Sequence, residues 1–199
     1  MTVILRPFAS DDWPDVWAVI APVLRAGETY AYSPSISEDE AYAAWITMPL
    51  ATVVAVDAQG RCLGTYYLKP NQPGSGAHVC NCGYIVASPL QGQGIASALC
   101  VHSQHEAIAR GFTAMQFNLV VTTNERAIRL WQRHGFTTVG RLPYAFKHPY
   151  LGYVDALVMY KLLQALPQDG SVGLSTGDQS SACQPAGRMA SSRRVRGKR

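Results

Sequence analysis

Apolar and polar positions alternate in the opening stretch MTVILRPFAS, where Val3 and Leu5 interleave with Ile4 and Arg6, and a period of two predicts a β-strand. Ser10, Asp11 and Asp12 form a capping cluster, after which Trp13 through Leu24 repeat apolar residues at helical spacing. Pro14 falls in the first turn of that helix, where a missing N–H costs nothing. A second helix opens at Ser37-Glu38-Asp39-Glu40, a capping box in which Ser37 and Glu40 can each satisfy the other's free backbone donor. It runs toward Thr47 and closes at Pro49. Three β-branched or aromatic runs follow, ATVVAVD (51–57), CLGTYYLK (62–69) and HVCNCGYIV (78–86), mostly antiparallel because the first connection is so short. A helix over about residues 94–110 is capped by Gly111, MQFNLVV (115–121) is a strand, and a helix from Asn124 to His134 stops at Gly135. FTTVGR and YVDALVMYKLL complete the order β-α-α-β-β-β-α-β-α-β-β, a single α+β layer without internal repeat.

Length and composition narrow the classes. The 199 residues suit one domain with a real core, and no run approaches the roughly 18 apolar residues of a membrane span. The start does not read as a signal peptide, so a cytoplasmic address is expected. Residues 1–166 hold eleven basic and eleven acidic side chains, whereas 167–199 hold six and two. The body is neutral and the net charge of +4 sits in the tail. That tail, rich in Gly and Ser and poor in large apolar groups, is expected to be disordered. The neutral body removes whole-domain basicity as an argument for nucleic acid, which leaves only the tail to touch it. Five cysteines without a CxxC pair read as free thiols rather than a disulfide framework. His78, Cys80 and Cys82 would share a strand face and could form a soft metal trio, but no fourth ligand is nearby, and no metal is expected.

Chemistry concentrates in LQGQGIASAL (90–99), which sets Gly92 and Gly94 just before a helix. A helix start leaves N–H groups without partners and carries positive partial charge. Glycines tolerate positive φ and let a ligand approach, so consecutive N–H groups from Gln91 to Ala96 can converge on a pyrophosphate. The plainer reading is a strand-to-helix turn that uses glycine for its geometry. No Gly-Lys-Ser/Thr is present, which excludes a nucleoside-triphosphate P-loop. Ser97, with Val120-Val121-Thr122 ending the next strand, argues against a nicotinamide dinucleotide.

Gln91, Gly94 and Ala96 resemble the Gln/Arg-x-x-Gly-x-Gly/Ala pattern of the GCN5-related N-acetyltransferases, and NERAIRLWQRHGF (124–136) is similar to that family's Asn…Ala…Leu-aromatic…Gly-Phe segment. The resemblance covers about residues 1–165. It implies the family's fold for a domain over 1–166, namely a mixed, mostly antiparallel sheet of about seven strands flanked by four helices, with 167–199 as a tail. It also implies acetyl-coenzyme A as co-substrate in a splay between the fourth and fifth strands. Cofactor contacts would come from Ile85, Val86, Gln91, Gly92, Gln93, Gly94, Ile95, Ala96, Asn124 and Trp131. GTYYLKPN, HVCNCGY and FNLVVTTN resemble more narrowly the fungal branch that acetylates azetidine-2-carboxylate and related proline analogues. That likeness implies that Asn81, Asn118 and Leu119 meet the acceptor, with Asn81, Tyr84 and Asn124 in the catalytic set.

Read from the residues, Asn81 and Asn118 are mid-strand amides that must find partners in backbone, water or ligand. Asn124 doubles as a helix N-cap. Trp131 stands where many relatives carry a tyrosine acid, and its indole cannot serve as one. Tyr84, Tyr144 and Tyr153 are the alternatives, or the thiolate leaves unaided. Backbone N–H groups near Tyr84 to Val86 would meet the developing oxyanion. No acidic residue lies in the fourth strand, so a water relay or a neutral amine is expected, with His78 and Asp155 as weaker bases. RLPYAFKHPYLGY (141–153) reads as one aromatic connection that walls the acceptor pocket or forms a homodimer contact. The implied activity is acetylation of a small amine. Acetylation of a protein N-terminus and an acyl-coenzyme A-binding module without turnover are the alternatives.

Overall fold

The computed structural model describes residues 2–164. β1 (Ile4–Pro7) leads through a 3-10 turn (Ser10–Asp12) to α1 (Trp13–Ala26), then α2 (Glu38–Tyr42), β2 (Ala51–Val56), β3 (Cys62–Pro70) and β4 (Val79–Val86). α3 (Ile95–Ala109), β5 (Ala114–Val121), α4 (Glu125–Arg133), β6 (Thr137–His148) and β7 (Gly152–Leu162) follow. The capping box at α2 forms as its sequence dictates: Glu40 N–H donates to Ser37 Oγ at 3.2 Å and Ser37 N–H to Glu40 Oε2 at 2.8 Å. Beyond Tyr42 the helix widens into a π turn, Ala43–Thr47. There Trp45 is fully buried, its indole N–H donating to Thr65 Oγ1 at 3.3 Å.

Seven strands make one sheet in the order β1-β2-β3-β4-β5-β7-β6, antiparallel except for β4 and β5. Alternation sends Val53 and Ala55 to one face, with Leu99 of α3 and Trp131 of α4, and Val54 and Val56 to the other, with Ile20 of α1 and Trp45. Helices therefore cover both faces, and the expected single α+β layer is three layers, because β2 and β3 are apolar on both sides. No helix among the described residues is long and apolar enough to cross a membrane.

The stretch 141–153 departs from expectation. It is no connection: residues 141–148 belong to β6, and only three residues separate β6 from β7. Its prolines and aromatics fit a strand because the β6–β7 register slips between Leu142 and Phe146. Asp155 of β7 anchors that bulge, accepting from Tyr144 N–H at 2.9 Å and Arg141 Nε at 2.6 Å while Tyr144 adopts φ +53°. The proposed tail and its boundary at 166 lie outside the described residues.

Candidate functional site

β4 and β5 pair at only two positions, Val79↔Ala114 and Cys80↔Met115, and then diverge. At the fork Asn81, 8% exposed, donates its Nδ2 to the Gln116 carbonyl of β5 at 2.9 Å, while its Oδ1 accepts from the Tyr67 hydroxyl at 3.3 Å. Tyr67 comes this close because Gly83 faces it: a Cβ there would lie 2.5 Å from the ring. On the other side of β4, Ala87 N–H bonds Leu63 O and Asn71 N–H bonds Val79 O. In an antiparallel ladder this commits the odd-numbered residues of β4 to β3 and turns the main-chain groups of Cys82, Tyr84 and Val86 into the gap. The Tyr84 carbonyl takes the Tyr30 hydroxyl at 2.8 Å, leaving the N–H groups as donors.

Two clefts meet at this gap. One, of about 550 Å³, lies on the α3 and α4 side and is lined by Val86, Leu90, Gln91, Gly92, the first turn of α3 from Gly94 to Ser97, Asn124, Arg126, Arg133 and His134. The other, of about 630 Å³, is bounded by the segment Thr29–Tyr32, by Tyr67, Lys69 and Asn71 of the β3 arm, and by Asn81, Asn118 and Leu119. Tyr84, Gln91, Asn124, Ala127 and Trp131 border both.

The glycine loop is shaped as an anion cradle. Gly92 and Gly94 sit at φ +91° and +84°, and a Cβ on Gly94 would meet nothing within 4 Å, so the space above it is empty. Gln91 and Gln93 turn their N–H groups back to Ser88 O and Leu90 O. The expected unbroken row of donors from 91 to 96 is therefore interrupted, and Gln93 borders neither cleft. Among the described residues, the N–H groups of Gly92, Gly94, Ile95, Ala96 and Ser97 have no protein acceptor, since the first bond of α3 is Ala98 N–H to Gly94 O. Arg126 stands beside them, its guanidinium donating to Gln91 Oε1 at 2.9 Å, and His134 Nε2 lies 2.7 Å from Ser97 Oγ. Burial, Lys161 and Arg133 together push the His134 imidazole below its ordinary pKa.

Asn124 is the N-cap of α4, accepting from Ala127 N–H at 3.1 Å through Oδ1. Its amide nitrogen has no protein partner among the described residues. Asn118 and Leu119 form a bulge against β7, where the register shifts between Phe117 and Val120. Asn118 donates to Asn71 Oδ1 at 2.7 Å and accepts from Gln116 Nε2 at 2.8 Å.

Other expectations move. Ile85 borders the acceptor-side cleft rather than the loop cleft, because it alternates with Tyr84 and Val86 and packs toward α1. The Tyr84 hydroxyl is bonded to Ser103 Oγ of α3 at 2.7 Å, and burial raises it well above its ordinary pKa; its main chain is what faces the gap. Tyr144, Tyr153 and Asp155 lie on the β6–β7 hairpin and border neither cleft, so 141–153 does not wall the acceptor side. The Tyr144 N–H and Arg141 bonds hold the Asp155 carboxyl below its ordinary pKa. His78 is exposed beside Ser75 O, and Cys80 is buried in the α3-side core with its thiol toward Ala114 O, which separates the suggested trio. Among the described residues no three His, Cys, Asp or Glu side chains form a metal site. Trp131 packs against Tyr84 and Phe117, ring centroids 4.9 and 5.0 Å away. Tyr30, Tyr32, Tyr67, Lys69 and Arg126 were not singled out from the sequence; only the repeated aromatics of YAY and TYYLK hinted at them.

Residues 16–136 match the profile of the Acetyltransferase (GNAT) family. N-acetyltransferase aca1 of Schizosaccharomyces pombe is 37% identical over 111 residues, 55% of this chain and 53% of the relative, so the chain spans about half the length of that curated relative. Among solved structures, a GCN5-related N-acetyltransferase from Kribbella flavida is 41% identical with a TM-score of 0.76, the match covering 80% of this chain and 97% of that one. A phosphinothricin acetyltransferase from Sinorhizobium meliloti, solved in complex with AcCoA, shares the fold at 19% identity and a TM-score of 0.74, over 87% and 97% of the two chains. A forked sheet, a glycine-lined helix start beside the fork and a family match over most of the folded body lead to one conclusion: the chain belongs to the acetyltransferase (GNAT) family.

Proposed function

We propose that the protein transfers an acetyl group from acetyl-coenzyme A to the amine of a small molecule. The observation that carries this reading is the meeting of the two clefts at the β4–β5 gap, one bearing free N–H donors and arginines, the other polar amides. The donors of Gly92, Gly94, Ile95 and Ala96, with Gln91, Arg126 and Arg133 around them, suit a pyrophosphate, and the empty space at Gly94 admits it. When bound, acetyl-coenzyme A supplies a thioester, an acyl group already attached to a good leaving thiol.

The N–H groups of Val86 and Tyr84 face the gap and would donate to an oxygen that gathers charge there, and Asn124 would offer its amide hydrogens from the shared border. Asn81, Asn118 and Leu119 hold and orient the acceptor. Among the described residues no carboxylate or imidazole lines the acceptor cleft, and on this reading the ammonium of the acceptor loses its proton to water before attack. The likeness to acetylases of proline analogues favours a cyclic amino acid as acceptor. The experiment is thiol release from acetyl-coenzyme A over a panel of small amines that includes azetidine-2-carboxylate and proline. Release with at least one small amine supports the reading, and tight coenzyme A binding without release for any amine overturns it in favour of a binding module.

A further inference from the structure

The acceptor cleft has an electrostatic signature of its own. Lys69 carries the single full charge among its lining residues. No Asp or Glu faces it there, and its ammonium takes part in no ion pair or hydrogen bond among the described residues; its contact is the Tyr67 ring, 5.3 Å away. The phenols around it do not offset that charge, since burial pushes Tyr30, Tyr32 and Tyr67 upward and keeps them neutral.

Lys69 is also in register for the task. It pairs directly with Asn81 across β3 and β4, on the strand face that carries Tyr67. Asn71, two residues further along the chain, holds the Asn118 amide. An unpaired ammonium thus stands beside amide groups, in a half-enclosed cleft where charge is less screened than in bulk water.

We infer that Lys69 is the specificity-determining residue of the acceptor side, the counter-ion for a carboxylate, so that the site selects small amines that also bear a carboxylate over amines without one. This rests on the acetyl-transfer reading and deepens it. A dicationic polyamine would meet a lone like charge with no carboxylate to receive it, and the cleft rejects it.

Matched pairs of acceptors test the inference: an amino acid or azetidine-2-carboxylate against the carboxamide of the same compound, with kcat/KM expressed per neutral amine from each compound's own amine pKa. The wild type is expected to favour the acid by about tenfold or more. Lys69→Met keeps the apolar stem and brings the ratio of acid to carboxamide kcat/KM down toward one, through the KM of the acid; Lys69→Arg retains most of the preference. Equal use of acid and carboxamide by the wild type, or an acid preference undiminished in Lys69→Met, overturns the proposal. Should no amine be turned over, the acetyl-transfer reading falls separately. Calorimetric titration of the same acid and carboxamide into wild type and Lys69→Met then decides: acid binding that disappears with the lysine upholds the counter-ion, and acid binding that persists, or that is absent from the wild type, removes it. Thermal melts of both variants establish that the fold is intact.

Discussion

Asn81 Nδ2 meets the Gln116 carbonyl at 2.9 Å one residue beyond the last β4–β5 pair, so a side-chain amide continues the ladder where the backbone no longer can. The same side chain takes the Tyr67 hydroxyl. Asn81→Ala leaves a strand carbonyl and a phenol without partners and is expected to cost about 1–3 kcal/mol of stability. Denaturant unfolding measures it, and a loss within error of zero would mean that the fork holds without this bridge.

Gly94 separates backbone conformation from ligand space. Gly94→Ala adds strain of about 1–2 kcal/mol at φ +84° and places only a methyl group in the cradle, so coenzyme A affinity falls less than in the tryptophan variant. Gly94→Trp fills the region where a Cβ now touches nothing and abolishes binding. Calorimetry on both variants distinguishes the two effects, and undiminished affinity in the tryptophan variant contradicts the cradle.

A methyl group at position 83 would lie 2.5 Å from the Tyr67 ring, which is packed and cannot retreat freely. Gly83→Ala is expected to destabilise the fold by about 1–3 kcal/mol. It also raises the acceptor KM, because Tyr67 borders that cleft. Steady-state kinetics at saturating acetyl-coenzyme A provides the check.

Asn118→Ala removes an amide from the bulge of β5 and frees Asn71. The acceptor KM should rise about tenfold or more, with the KM for acetyl-coenzyme A unchanged. Equal effects on both constants would assign Asn118 to the fold of the fork instead.

Asp155 ties Arg141 and the Tyr144 N–H into the β6–β7 bulge, and both bonds lower its pKa. A carboxyl depressed in the folded state contributes stability above its unfolded pKa of about 4, and that contribution is lost as pH falls through the folded value. Asp155→Asn should therefore melt lower than wild type at pH 7, and the gap should narrow as the carboxyl is protonated in acid, below its unfolded pKa. A gap that persists in acid would show that the effect is packing rather than charge.

Local rules made much of this molecule legible. Ser37 and Glu40 announced their capping box, Gly111 and Gly135 ended their helices at positive φ, and Asn124 is the N-cap of α4, on the border of both clefts. Local rules also reached the glycine loop, because the N–H groups that a helix start leaves free belong to consecutive residues. What they could not reach was set across strands. The Asn81 bridge depends on where β4 leaves β5, and Tyr67 enters the site only because Gly83 lies opposite it. The hairpin containing Tyr144 was misread for a related reason: Pro143 and a residue at φ +53° look like a loop until Asp155, eleven positions away, anchors the bulge. Lys69 gives no local signal; it stands out only in the folded chain, where no opposite charge lines the cleft around it among the described residues.

The β4–β5 fork also has a kinetic consequence. It opens the sheet between two clefts, so on the proposed reaction donor and acceptor would enter from opposite sides and neither would block the path of the other. Donor and acceptor can then be resident at the same moment, and double-reciprocal plots should give lines that intersect, not the parallel family of a ping-pong enzyme.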